Sequence, residues 1–267
     1  MKQSTLTLPN GKSITKPKSK TPMILSVLFI LIVISSIITE ADIAVLFTKA
    51  DKFWSMIGDM ILPPDFSYLD DIIPELIATL RMSVVGTFFG AIFGFPVAFL
   101  AAKNINSNEI VRFIVKACLS LTRTMPVLIY AMILTFFFGI GEFAGLLAIT
   151  IFTFSIITKM AFEDLETLDM GAFEAAISQG STRIKSTILT IFPQMMRTYI
   201  TYTLYCFEIN VRSAAILGYV GAGGIGYTLN QMIQLRQYDK AGMILIAIMV
   251  TVIAIDSLSQ FTRRRLA

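Results

Sequence analysis

The sequence predicts an all-α integral membrane protein with about six transmembrane helices. Three observations carry that expectation. Hydrophobic residues make up 55% of the 267 residues and charged residues only 15%, where soluble domains average about 45–50% and about 25%; the mean hydropathy of +0.74 is more than one globular core requires. Charges are absent from four long windows, residues 21–39, 82–102, 124–141 and 143–158. A helix rises about 1.5 Å per residue, so about 20 residues cross the ~30 Å hydrocarbon layer. Finally, lysine and arginine fall unequally on the two sides of these windows, as the positive-inside rule requires.

Taken in order, residues 1–20 are polar and lysine-rich and read as a disordered, basic cytoplasmic tail. A first span at 21–39 follows. Its apolar run exceeds a secretory h-region and no A-x-A site follows it, so we expect it to be retained. Residues 40–75 carry Glu40, Asp42, Asp51, Asp59, Asp65, Asp70, Asp71 and Glu75 and form an acidic extracytoplasmic segment. The remaining spans are expected at 82–102, 117–139, 143–160, 190–210 and 241–261, the last two with charges inside them. Pro96 and Pro126 are expected to kink their helices. With the N-terminus inside, fourteen of the 22 basic residues lie in inner segments, among them Arg263, Arg264 and Arg265, and five in outer ones. An even number of spans returns the C-terminus to the cytoplasm. Topology therefore accounts for the pI near 9.0, which gives no support for nucleic-acid binding.

Several chemistries are excluded. The chain has no histidine, which removes imidazole bases, His-bearing triads and His metal sites. Cys118 and Cys206 sit in apolar runs without CxxC spacing and read as buried small hydrophobes. No cofactor or metal is expected. Gly11-Lys12-Ser13 resembles the end of a phosphate-binding loop, but Leu6 stands where that motif needs its first glycine. Gly221-Ala222-Gly223-Gly224-Ile225-Gly226 fits G-x-G-x-x-G after the strand-like Ala215-Ile216-Leu217, yet apolar spans flank it rather than alternating strands and helices. The better reading is non-helical, closely packed backbone between spans, tolerated at membrane depth only against protein or a water-filled cavity.

Residues 159–189 form the longest inner loop. Phe173, Ala176, Ile177, Gly180 and Ile184 fall at helical spacing on one face, with Glu174, Ser178, Gln179, Ser181, Arg183 and Lys185 around the rest. From residue types alone this is an interfacial helix on the inner leaflet, with Arg183 and Lys185 near lipid phosphates. The order Glu174-Ala175-Ala176, Gly180, Pro193 also resembles the EAA loop of ABC importer permeases, with Thr190 and Phe192 departing from the usual pattern. A second block, Phe207 through Gly226, resembles the phosphonate-transport permeases, and its glycine-rich tail is shared with methionine-importer permeases. The likeness runs from about Leu76 to the C-terminus and includes Arg123-Thr124-Met125-Pro126, Gly139-Ile140-Gly141 and Asp256-Ser257.

The resemblance implies a methionine-importer-like permease core over residues 76–265, with a coupling helix at about 172–186 docked on an ATP-binding cassette subunit. Glu174, Ala175, Ala176, Gly180 and Arg183 are the coupling residues it designates. It further implies a homodimer with the pathway at the interface, two ATPase subunits below and an extracytoplasmic phosphonate-type solute-binding protein above.

Charges inside spans are costly, at least ~2.5–3.5 kcal/mol on insertion scales, and so face a partner or a cavity. Glu208 and Arg212, four apart, sit on one helical face. Either they neutralise each other and tie helices together, or Arg212, Asn210, Ser213 and Arg123 line a route for a phosphate-like anion, which guanidinium matches geometrically. Asp256 is expected to find a hydrogen-bonding partner on another helix. An ion-gradient carrier would show two similar halves, and none is apparent. An intramembrane enzyme would need an activated nucleophile, for which the spans lack a base. The chain is expected to perform no chemistry itself.

Overall fold

The computed structural model describes residues 5–7, 13–15, 20–39, 48–61 and 65–266. These fall into two units, residues 1–57 and 58–267, so the compact body begins before the boundary expected at 75. In the first unit Thr5–Thr7 (β1) pairs antiparallel with Ser13–Thr15 (β2), Leu6 opposite Ile14. The tail expected to be disordered thus holds a short β-pair in which four of the six residues, Thr5, Thr7, Ile14 and Thr15, are β-branched; the rest of residues 1–19 lies outside the described residues, as do Glu40 and Asp42. Helix α1, Thr21–Ile38, takes Pro22 in its first turn, where the missing N–H costs nothing. None of its side chains is buried. Helix α2, Ala50–Ile61, follows within the stretch read as an acidic extracytoplasmic segment.

The second unit is built on α3, Leu69–Ala101, which is 33 residues long and starts thirteen residues before the expected span. A 3-10 turn, Phe66–Tyr68, leads into it. Asp65 caps that turn by accepting from the Ser67 amide, and the Ser67 hydroxyl bond holds the Asp65 carboxyl below its ordinary pKa. Helix α6, Glu142–Thr167, is 26 residues long, where the shortest span was expected. The two run side by side and parallel. Gly86, Gly90 and Gly94, one turn apart, face Ile149, Thr153 and Ile157; added Cβ atoms would come within 2.7, 2.7 and 2.8 Å of those side chains. Small residues at this spacing let membrane helices approach backbone to backbone.

The span expected at 117–139 is not one helix. Helix α4, Glu109–Thr124, and α5, Val127–Phe138, meet at 88°. Pro126 lacks an N–H and pushes the preceding residue out of the helical region, and Met125 has ψ 127°. Pro96, by contrast, is carried inside α3 without ending it. Gly139 (φ 86°) stops α5.

After α6 come α7, Gly171–Ser178, and α8, Arg183–Ser186, then a π-helical turn, Thr187–Ile191, and α9, Phe192–Leu217. Ala215-Ile216-Leu217, read as strand-like, is the last turn of α9. A 3-10 turn, Gly218–Val220, α10 (Ile225–Gln234) and α11 (Tyr238–Leu266) complete the chain. The described residues contain four helices long and apolar enough to cross a membrane, or five if α4 and α5 count as one broken span. Helix α9 is long enough but carries Arg197, Glu208 and Arg212; with it, about six crossings are accounted for.

Candidate functional site

Where the end of α6 meets the start of α9, Phe162, Leu165, Met195 and Tyr199 form a cluster against which Phe95, Leu168, Met170 and Phe173 pack. Phe173 and Met170 seat α7 on this cluster. Glu174, Ala175, Gly180 and Arg183 remain exposed and Ala176 half-buried. The helix expected over 172–186 is split. Gly180 adopts φ 87°, and the amides of Gly180 and Ser181 bond back to Ile177 and Ala176, a glycine C-cap. Ile184 therefore leaves the face that Phe173 and Ile177 share. It lines an apolar cleft of about 500 Å³ with Phe95, Phe99, Ile188 and Phe192. Thr182 caps α8, and Arg183 donates to the Ser107 hydroxyl at 3.4 Å.

Two supports of this surface had no sequence signal strong enough to single them out. Glu166 Oε1 accepts from the Lys116 ammonium at 2.9 Å and from the Lys103 amide at 3.0 Å, joining α4 and the loop before it to the end of α6. Asn104 Nδ2 donates to the Leu165 carbonyl at 2.6 Å.

Deeper in the helices, Glu208 is 8% exposed and holds two guanidiniums. Arg212 Nη2 donates to Oε1 and Arg263 Nη2 to Oε2, both at 2.9 Å. The i,i+4 pair expected from the sequence forms, and Arg263, counted there among the basic residues of the inner C-terminus, completes it as a triad between α9 and α11. Arg212 keeps half of its side chain exposed and Arg263 a quarter, so the triad carries a net positive charge with one accessible fork. Asn210 sits two residues on, 1% exposed. Its amide donates to the hydroxyls of Thr87 (2.8 Å) and Thr153 (2.7 Å), pinning α3, α6 and α9 together. Ser213 is half-buried. Arg123 is exposed beside the α4–α5 elbow and forms no ion pair among the described residues. The structure thus joins Glu208 and Arg212 in one cluster but leaves Arg123 outside it.

The glycine-rich segment is non-helical from Gly221 to Gly224, with positive φ at Gly221, Gly223 and Gly224. It lies against the α5–α6 turn: the Gly141 amide donates to the Gly221 carbonyl at 2.9 Å, and a Cβ on Gly223 would come within 2.9 Å of the Glu142 nitrogen. A Cβ on Gly226 would overlap the Ala215 carbonyl. The Thr79 hydroxyl accepts from the Ile225 amide at 2.8 Å.

Two smaller expectations are corrected. Asp256 takes its hydrogen bond from Gln260, one turn along its own helix, at 3.0 Å, residues four apart sharing a helix face. Cys118 is exposed and only Cys206 buried, since the amphipathic α4 buries little more than Leu119. Among the described residues no cluster of acidic or cysteine side chains has metal-binding geometry.

The described residues thus form a multi-pass set of apolar helices with one broken span and a charge cluster joining two of them. The chain belongs to the binding-protein-dependent transport system inner membrane component family, whose model matches residues 94–267. It is 36% identical over 79% of its length to a putative phosphite transport system permease protein of Stutzerimonas stutzeri, of which it covers 75%. It is 35% identical over 77% of its length to a phosphate-import permease protein of Mycolicibacterium smegmatis, covering 39% of that longer chain. In fold it is similar to the permease chain of the inward-facing methionine ABC transporter MetNI, with a TM-score of 0.66 at 21% identity over 76% of this chain and 99% of that one. Membership implies an ATPase and a solute-binding partner.

Proposed function

We propose that this chain, as a homodimer, forms the membrane pathway of an ATP-driven importer for phosphonates or related phosphate-like oxyanions. An extracytoplasmic phosphonate-type binding protein delivers the substrate and supplies the affinity. The observation that carries the reading is Arg212: a half-exposed guanidinium held at depth by Glu208, in a chain whose relatives bear phosphite and phosphate names. A guanidinium fork matches a tetrahedral oxyanion, and sharing it with Glu208 keeps the anion weakly held, as passage requires. Arg123 and Ser213 are the other polar groups proposed for the route. Asn210 contributes by fixing the helices around it, and the segment Gly221 to Gly226 closes the wall.

Motion enters from below. ATPase closure displaces α7, and the packing of Phe173 and Met170 against the cluster of Leu165 and Met195 carries the displacement to the ends of α6 and α9, biasing two states of the pathway. Glu174, Ala175, Ala176, Gly180 and Arg183 are the proposed contact. The test is uptake into proteoliposomes containing the permease, its ATPase and its binding protein. We expect ATP-dependent accumulation of methylphosphonate or phosphite and none of methionine; the reverse preference would overturn the substrate class. Uptake without the ATPase would favour a gradient-driven carrier.

A further inference from the structure

Helix α2 has a face that nothing so far explains. Along Ala50–Ile61, the residues Phe53, Trp54, Met56, Ile57, Met60 and Ile61 fall on one half of the helix, while Asp51, Lys52, Ser55 and Asp59 fall on the other. Phe53, Trp54 and Ile61 are 53%, 67% and 56% exposed. Phe53 and Trp54 pack edge to face, with ring centroids 5.5 Å apart.

The depth of the helix follows from where its last turn is held. Met60 packs on a cluster of Ile72, Ala241 and Ile244, and Gly242 lets the α11 backbone close on the Met60 carbonyl. Ile72 lies in the first turn of α3, and Ala241 to Ile244 in the first two turns of α11. Both spans open with charged residues at that end, Asp70 and Asp71 in one, Asp239 and Lys240 in the other. The end of α2 therefore sits where two spans enter the membrane. Twelve residues reach about 18 Å, too short to cross.

We propose that α2 lies in the plane of the membrane at that surface, with Phe53, Trp54 and Ile57 seated at the boundary between phospholipid headgroups and acyl chains. Tryptophan and phenylalanine on the apolar side suit that boundary, where aromatic rings concentrate. The polar side holds two aspartates against one lysine, so apolar burial rather than attraction to anionic lipid drives the seating, and zwitterionic phosphatidylcholine suffices as a partner.

Trp54 is the chain's single tryptophan, so its fluorescence in the full chain reports this helix alone. In phosphatidylcholine vesicles, lipid brominated near the glycerol end of its acyl chains should remove roughly half of the emission, and lipid brominated near the terminal methyl clearly less. Aqueous acrylamide should quench several-fold less than it does free tryptophan amide. Strongest quenching by the deep bromine would overturn the proposal, as would full acrylamide quenching, which marks a water-facing surface, or protection from both, which marks a protein-covered one. Moving the probe to the polar side, with Ser55→Trp in a Trp54→Phe background, should reverse the order of lipid and acrylamide quenching. Equal lipid quenching at both positions would defeat the in-plane orientation.

Discussion

Glu208 and its two arginines are not equivalent. Each guanidinium has one carboxylate oxygen, whereas the carboxylate has both guanidiniums. Removing Arg212 leaves Glu208 paired with Arg263, and Arg212 is half exposed, so Arg212→Gln should cost no more than about 1 kcal/mol of stability. Glu208→Gln strips two cations of their counter-charge at once and should cost about 3 kcal/mol, discounted from the buried-pair range for the exposure of Arg212. Thermal unfolding of the detergent-solubilised chain ranks the two, and an equal loss would contradict the hub arrangement. Transport should respond the other way, with Arg212→Gln reducing phosphite uptake while the fold persists. If Arg212→Gln weakens ATPase coupling but leaves uptake of the oxyanion intact, the residue is a brace and no more. This pair was legible in the sequence because residues four apart share a helix face. Arg263 was not, being 55 positions away within a basic run that the positive-inside rule already explained. Asn210 was legible as a polar residue at depth, but its partners Thr87 and Thr153 lie on two other helices and carry no marker of their own.

Among the elements, the close parallel contact of α3 and α6 makes the sharpest demand on residue type. A methyl at Gly90 meets the Thr153 Cβ at 2.7 Å and the Phe154 backbone nitrogen at 3.0 Å, and backbone cannot step aside. Gly90→Ala should therefore destabilise by about 1–3 kcal/mol, the range for overpacking. Gly58 in α2 has nothing within 4 Å of the same methyl, so Gly58→Ala should be neutral or gain up to about 1 kcal/mol in helix propensity. A destabilising Gly58→Ala beside a harmless Gly90→Ala, by thermal melting, would contradict this packing. The Gly86, Gly90, Gly94 spacing is readable in the sequence; its facing helix is not. The turn at Gly180 gives a functional counterpart. An alanine there must hold φ 87° at roughly 1–2 kcal/mol or else let α7 run on and swing Arg183 away. Gly180→Ala should leave assembly measurable and reduce ATP-dependent uptake, and full coupling would show that the kink between α7 and α8 is dispensable. The sequence announced this turn through its glycine and the α4–α5 break through Pro126. Periodicity nonetheless carried the amphipathic face and the third span straight through both, because hydrophobic spacing does not register a change of axis.

For the whole molecule, composition and the spacing of charges were enough to specify a multi-pass membrane protein, since no other environment accommodates so much exposed apolar surface; Val84, Phe88, Phe93, Met249 and Ile253 all point outward from their helices. What remained illegible was how charge is accommodated inside it: α9 is not among the helices apolar enough to cross on their own, and its Glu208 is paired both with Arg212 of the same helix and with Arg263 of α11. The orientation rests on a separate argument, the excess of lysine and arginine at the α7 end over the acidic end around Asp65, Asp70 and Asp71. That argument yields a direct labelling outcome. Cys118 is exposed and would react, so it is first changed to serine, while buried Cys206 stays. In this background a cysteine replacing exposed Asp70 should react in intact cells with a membrane-impermeant maleimide. One replacing exposed Glu174 should react only after the membrane is opened. If Glu174→Cys labels first, the proposed ATPase contact faces away from ATP, no cytoplasmic ATPase can reach α7, and the charge asymmetry must have another origin.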